Sequence, residues 1–206
     1  MKCRLQVPHC IMSEMQASSP APVAQHENTK LGMWVFLGGE VVFFVSLILL
    51  IIFTRMTNSG YEEQFRGHLS IPIIALNTFV LVTSSYFVVR ALDAISYKGD
   101  QNGLRNNMIV VIVLGLVFLG GQAFEWITLF SEGLGFTSTY GLPFFTVTGI
   151  HGTHVFVGVL WAIYLLVGHG RMPFTKENHL GIENFGLYWH FVDIVWIVLF
   201  TVIYLI

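Results

Sequence analysis

Six ionisable side chains stand inside stretches that are otherwise apolar: Glu40, Glu125 and Asp193, with His151, His154 and His190. Such groups could move protons, bond helices to one another or ligate a metal. At bilayer depth each would cost about 2.5–3.5 kcal/mol on insertion scales, so each asks for a reason. His151 and His154 are three apart and share one helix face. An H-x-x-H pair supplies two ligands, short of a closed metal site, so polar bonding between helices or contact with lipid phosphate is the plainer reading. His190 and Asp193 are also three apart, flanked by Trp189 and Trp196, and fit an orienting hydrogen bond inside a bundle. Gln122, Glu125 and Trp126 line one helix side, with Glu125 towards the outer part of its helix and expected to be structural. Glu40 falls near the middle of its apolar run. There a neutral, hydrogen-bonded carboxyl costs less than an ionised one, and a place in proton traffic is the sharper alternative.

Spacing tests these readings against one another. A carrier of b-type haem needs axial histidines facing each other at matched depth. His151 and His154 are too close to serve one haem each, and only His190 stands opposite. A transporter would favour internal repeats or broken helices, and neither is seen. A cofactor-free structural or lipid-binding subunit of a larger complex remains. His154 and Asp193 both fall near mid-depth, so a His–Asp contact between the fourth and fifth apolar runs is possible. Thr148 and Gly152, four apart, would give a small-residue packing edge beside the histidines.

The elements that must position these groups follow from composition. The chain has 206 residues, 54% hydrophobic, 15% aromatic and only 11% charged. Soluble domains carry roughly 25% charged residues, so this chain cannot cover a water-facing surface. That excludes a soluble globular domain and a disordered chain. A net charge of -2 excludes a basic nucleic-acid binder. Cys3 and Cys10 have poor metal-site spacing and are read as thiols without a role.

Residues 1–29 read as a flexible polar tail with a Ser18-Ser19-Pro20-Ala21-Pro22 linker and no secretory signal. Residues 30–206 read as one membrane domain. Five apolar runs cover about 31–53, 69–92, 108–130, 144–168 and 183–206. Each exceeds the ~20 helical residues that span a hydrocarbon core. Helices are required because a lipid-exposed backbone must satisfy its own hydrogen bonds. The predicted fold class is therefore an all-α integral membrane bundle of five transmembrane helices. Joints are marked by Thr57-Asn58-Ser59-Gly60, Lys98-Gly99-Asp100, Gly141-Leu142-Pro143 and Gly170-Arg171-Met172-Pro173, and Pro72 and Pro143 suit helix starts. Lys2, Arg4, Lys30, Arg90, Lys98, Arg105, Arg171 and Lys176 fall on one side, against Arg55 and Arg66 on the other. The positive-inside rule predicts a cytoplasmic N-terminus and a C-terminus outside.

The run Phe144-Phe145-Thr146-Val147-Thr148-Gly149-Ile150-His151-Gly152-Thr153-His154-Val155 resembles the F-x-x-TG-x-HG-x-HV signature of subunit III of haem-copper terminal oxidases. Tyr188-Trp189-His190-Phe191-Val192-Asp193-Ile194-Val195-Trp196 resembles that family's WHFVD-x-VW segment. Gln122-Ala123-Phe124-Glu125-Trp126, Leu76-Asn77-Thr78 with Ser84-Ser85, and Gly39-Glu40-Val41-Val42-Phe43-Phe44 are similar to further segments, all in family order.

The resemblance implies the five-helix bacterial core of subunit III, without the two N-terminal helices of longer relatives. Those helices help enclose a lipid-holding cleft, and here their place could fall to a neighbouring subunit. Glu40 aligns with the family's carbodiimide-reactive carboxyl, with Gly39 where the family often has Ser. By the same implication no residue of this chain is catalytic and none binds metal, haem or copper; those cofactors belong to subunits I and II, which reduce oxygen. The implied role is to bind phospholipid, stabilise subunit I directly, contact subunit II and small subunits, and support proton uptake in an aerobic, proton-pumping oxidase of the bacterial inner membrane. Glu40 is the residue tied to proton uptake. His151, His154, His190, Asp193, Gln122, Glu125 and Asn77 are the lipid-facing or interhelical polar set. A cytochrome c oxidase is favoured; a quinol oxidase and a nitric-oxide-reductase accessory protein are the alternatives.

Overall fold

The computed structural model describes residues 22–58, 70–169 and 174–205. Cys3, Cys10, Lys2, Arg4, Arg66, Arg171, Ser18–Ala21 and the turn residues 59–60 and 170–173 lie outside them. Five helices, each long and apolar enough to cross a membrane, make up the described residues, and no strand occurs among these. They are α1 (Pro22–Thr57), α2 (Ile71–Asp93), α3 (Gln101–Ser131), α4 (Gly141–His169) and α5 (Leu180–Phe200). α1 begins at Pro22, earlier than the apolar run, because proline suits the first helical position and no breaker follows it. Pro72 likewise occupies the first turn of α2.

α2 and α5 each end in a wider π-type turn, Ala94–Lys98 and Thr201–Leu205. After the first, Gly99 takes φ 68°, a left-handed conformation that glycine adopts without a Cβ penalty. The Asp100 carboxylate then accepts from the Asn102 amide at 3.0 Å and starts α3.

α5 is the most enclosed helix and α1 the least. α5 packs against α1, α2 and α4; α2 packs against α3, and α3 against α4. Bonds at both ends fix the alternating up–down order. At one end Lys30 pairs with Glu183, which also faces His179, and Gln101 donates to the Phe174 carbonyl at 2.5 Å. At the other end Tyr140 donates to the Asn58 carbonyl at 3.3 Å, and Arg55 donates to the carbonyls of Val202 and Ile203. Those two carbonyls belong to the last turn of α5, where backbone acceptors lack helical donors. α1 and α5 therefore run parallel, tied at their starts and their ends.

Glycines set the close approaches. A Cβ on Gly121 would lie 2.6 Å from the Asn77 carboxamide oxygen. A Cβ on Gly149 would meet Trp126 at 2.9 Å, and one on Gly158 would meet Trp189 at 2.7 Å. The expected Thr148–Gly152 edge is not the one used. Among the described residues outside its own helix turn, nothing lies within 4 Å of the Gly152 Cβ position, whereas Gly149 and Gly158 face the bulky rings. The indoles on α3 and α5 select the glycines, and Gly152 turns away from both.

Candidate functional site

α1 and α4 meet through Glu40 and His154, with His154 Nε2 3.2 Å from Glu40 Oε2. His154 Nδ1 lies 2.8 Å from the Ile150 carbonyl. A carbonyl can only accept, so Nδ1 carries a proton. One proton then bridges Nε2 and Oε2. Either a carboxylic acid donates to neutral imidazole, or imidazolium donates to carboxylate. Both states have zero net charge, so the pair can shift a proton internally without placing a lone charge in the bilayer. Phe44 packs edge-on to the His154 ring at 5.0 Å, and Tyr188 donates to the His154 carbonyl at 3.0 Å. Both side chains remain partly exposed, about 20% each (19% and 21%), at the bundle surface. Beside them Phe36, Thr153, Val157, Trp161 and Tyr188 border a groove of about 330 Å³.

His151 and His154 share a helix face but not a role. His151 is buried, its ring stacked 4.8 Å from Trp196 and edge-on to Phe118 at 6.0 Å. Neither of its nitrogens has a hydrogen-bond partner among the described residues. The three-residue step rotates it into the core and leaves His154 facing α1.

The possible His154–Asp193 contact is not made. Asp193 is buried and lies beside the Ser85 hydroxyl of α2, without a bond of good geometry. Ser85 Oγ is 2.5 Å from His190 Nδ1. The i, i+3 pair on α5 therefore converges on one serine, and α5 turns it towards α2 rather than α4. The neighbouring Ser84 hydroxyl accepts from the Trp189 indole at 2.8 Å, and Thr78 accepts from the Trp196 indole at 2.9 Å. Hydroxyls on α2 thus hold successive polar edges of α5.

Glu125 sits near the end of α3, yet its side chain is enclosed. Its Oε2 accepts from Gln122 at 2.7 Å and from the Tyr204 hydroxyl at 2.9 Å. Distance from the membrane middle and burial inside the bundle are separate coordinates here. Asn77 donates to the Phe118 carbonyl at 3.0 Å, reaching α3 over Gly121.

Three participants were not singled out from sequence as site residues: Ser85, Tyr204 and Tyr188. Paired serines in mid-helix were a signal for the first. Nothing distinguishes Tyr188 and Tyr204 from other aromatic residues until the helices are packed. Among the described residues, no three His, Cys, Asp or Glu side chains gather as a metal site would require.

A family model described as cytochrome c oxidase subunit III matches residues 5–206. A "Cytochrome c oxidase subunit 3" from Thermostichus vulcanus is 36% identical over 199 residues, covering 93% of this chain and 96% of the relative. A "Probable quinol oxidase subunit 3" from Staphylococcus aureus (strain USA300) is 35% identical over 182 residues, covering 87% and 90%.

Proposed function

The chain belongs to the cytochrome c oxidase subunit III family, and from that premise we propose that it is the non-redox subunit of a bacterial aerobic oxidase fed by cytochrome c. Membership makes it a multi-pass membrane subunit of a haem-copper oxidase complex, of cytochrome c or quinol type. In this reading the haem and copper lie in partner subunits, with subunit I in direct contact and subunit II beside it. The complex reduces oxygen to water with proton pumping. This chain stabilises subunit I, holds phospholipid and supports proton uptake.

The observation that carries the proton-uptake role is the Glu40–His154 pair, a one-proton bridge open to the bundle surface. A purely structural acid would be better enclosed, as Glu125 is. The adjoining groove, apolar apart from Thr153 and the edges of His154 and Tyr188, suits a phospholipid chain.

The N-terminus is proposed to face the cytoplasm. Lys30, Lys98, Arg105 and Lys176 gather at the end where α1 begins, and Arg55 stands at the opposite end.

The test is purification of the complex through a tag on this chain. The expected preparation contains haem-bearing partners and consumes oxygen with reduced cytochrome c. Activity with a quinol alone would assign the complex to the quinol type, a reading that the Staphylococcus aureus relative supports. Recovery of the chain without haem-bearing partners would overturn both.

A further inference from the structure

α2, α3, α4 and α5 close into a ring without α1: α2 packs on α3, α3 on α4, α4 on α5, and α5 on α2. Polar bonds seal this ring. Asn77 reaches the Phe118 carbonyl, the Trp189 and Trp196 indoles reach hydroxyls of α2, and Tyr204 reaches Glu125. Pulled apart in lipid, these groups would lose partners that hydrocarbon cannot replace. α1 lies outside the ring, seated on α4 and α5.

The seat of α1 is one narrow seam. Its buried side chains are Leu37, Phe44 and Ile51, each seven residues from the next. The same step of seven reaches Lys30 at one end and Asn58 at the other. A strict repeat of seven keeps a single stripe facing its neighbour along a helix pair. Both outer members of the series are tied: Lys30 pairs with Glu183, and the Asn58 carbonyl accepts from Tyr140. Glu40, three after Leu37, meets His154. Arg55, four after Ile51, donates to the Val202 and Ile203 carbonyls. Gly32, Gly38 and Gly39 of α1 have no atom within 4 Å of their Cβ positions among the described residues outside their own helix turns. α1 therefore makes no close approach at these glycines like those at Gly121, Gly149 and Gly158 in the ring.

Lipid tails are as apolar as leucine, so unseating Leu37, Phe44 and Ile51 exchanges one apolar neighbour for another at little cost. The polar ties then decide whether α1 stays seated, and in which register. Parting Glu40 from His154 bares no charge in the bilayer. The proton stays with Glu40 as a neutral carboxylic acid and leaves a neutral imidazole behind.

We infer that α1 is a strap: it unseats from the α4–α5 seam as one unit and reseats in register, while the ring of α2–α5 stays assembled. The ties at Lys30 and Arg55 set the balance between the two states. The strap stands independently of the oxidase reading. Its consequence for proton traffic rests on that reading, under which unseating is the event that parts Glu40 from His154.

The test uses the tagged full chain, with whatever partners it retains, in lipid nanodiscs, with Cys3 and Cys10 replaced by Ser. Spin labels at Val42→Cys on α1 and Leu116→Cys on α3, both exposed positions, report the strap. Labels at Phe79→Cys on α2 and Leu160→Cys on α4, also exposed, report the ring. Pulsed dipolar EPR reads each distance distribution. The parent chain should give one main α1–α3 distance. Arg55→Leu should raise the ratio of longer to seated distances about tenfold, the loss of a hydrogen bond from a charged donor. Lys30→Glu should act in the same direction from the opposite end, and adding Glu183→Lys should restore the seated distance. The α2–α4 distance should hold throughout. An α1–α3 distance unchanged in both variants would overturn the strap. So would a widening of the α2–α4 distance alongside it, because the bundle would then loosen as one body. Lys30→Glu without recovery by Glu183→Lys would overturn the tie at that end. The labels report whether or not haem-bearing partners copurify, so failure of the oxidase reading and failure of the strap are separate results.

Discussion

Glu40 of α1 and His154 of α4 meet across 3.2 Å, Oε2 to Nε2, although 114 residues separate them in sequence. α1 is the least enclosed helix of the bundle, so this contact joins its most weakly held element to the core. The same pair is therefore a bond holding α1 in place, and under the proposed function it is also the proton site.

Glu40→Gln separates the two roles. A carboxamide can still donate to His154 Nε2, but it cannot give up the proton under working conditions. The expected outcome is an intact complex with an unchanged initial oxygen-uptake rate and a shorter lifetime under sustained turnover. Extended oxygen-electrode traces read both quantities. Failure to assemble would assign Glu40 a purely structural role.

Ser85→Ala removes the hydroxyl on which His190 and Asp193 converge. A buried polar group left without a partner costs about 1–3 kcal/mol. The variant should lose helical circular dichroism in detergent at a lower temperature than the wild type. Ser85→Thr, which keeps the hydroxyl, should recover most of the difference.

Gly121→Ala places a methyl group against the Asn77 carboxamide, which is held by its bond to the Phe118 carbonyl. Overpacking of this kind costs about 1–3 kcal/mol. Gly152→Ala should be near neutral, because among the described residues outside its own helix turn no atom lies within 4 Å of its Cβ position. Comparing the two variants by thermal unfolding in one detergent checks the assignment of the packing edge.

Tyr204→Phe deletes one of the two bonds to Glu125 Oε2. A net loss of about 0.5–1.5 kcal/mol follows. Because Gln122 still donates, the variant should fold and enter the complex, with a lowered unfolding midpoint as the readout. An unchanged midpoint would remove Tyr204 from the set of stabilising contacts.

The isolated chain should show no Soret absorption after purification. A stoichiometric b-type haem in that spectrum would contradict a role outside the redox centres.

The scarcity and placement of charge made the architecture legible in the residues alone. At 11% charge the chain cannot face water, and five apolar runs permit only helices, since a bilayer offers the backbone no partner. Motif order identified the family, and the polar residues worth watching were visible as exceptions inside apolar runs. Tertiary structure decided which exceptions meet. Residues three apart on one helix still point to different neighbours, so His151 turns to Trp196 while His154 turns to Glu40. Asp193 lies beside Ser85 rather than His154. Periodicity fixes a side chain's angle on its own helix, but the rotation of each helix against its neighbours comes from packing indoles over Gly149 and Gly158. That rotation is a property of the assembled bundle and of no single segment.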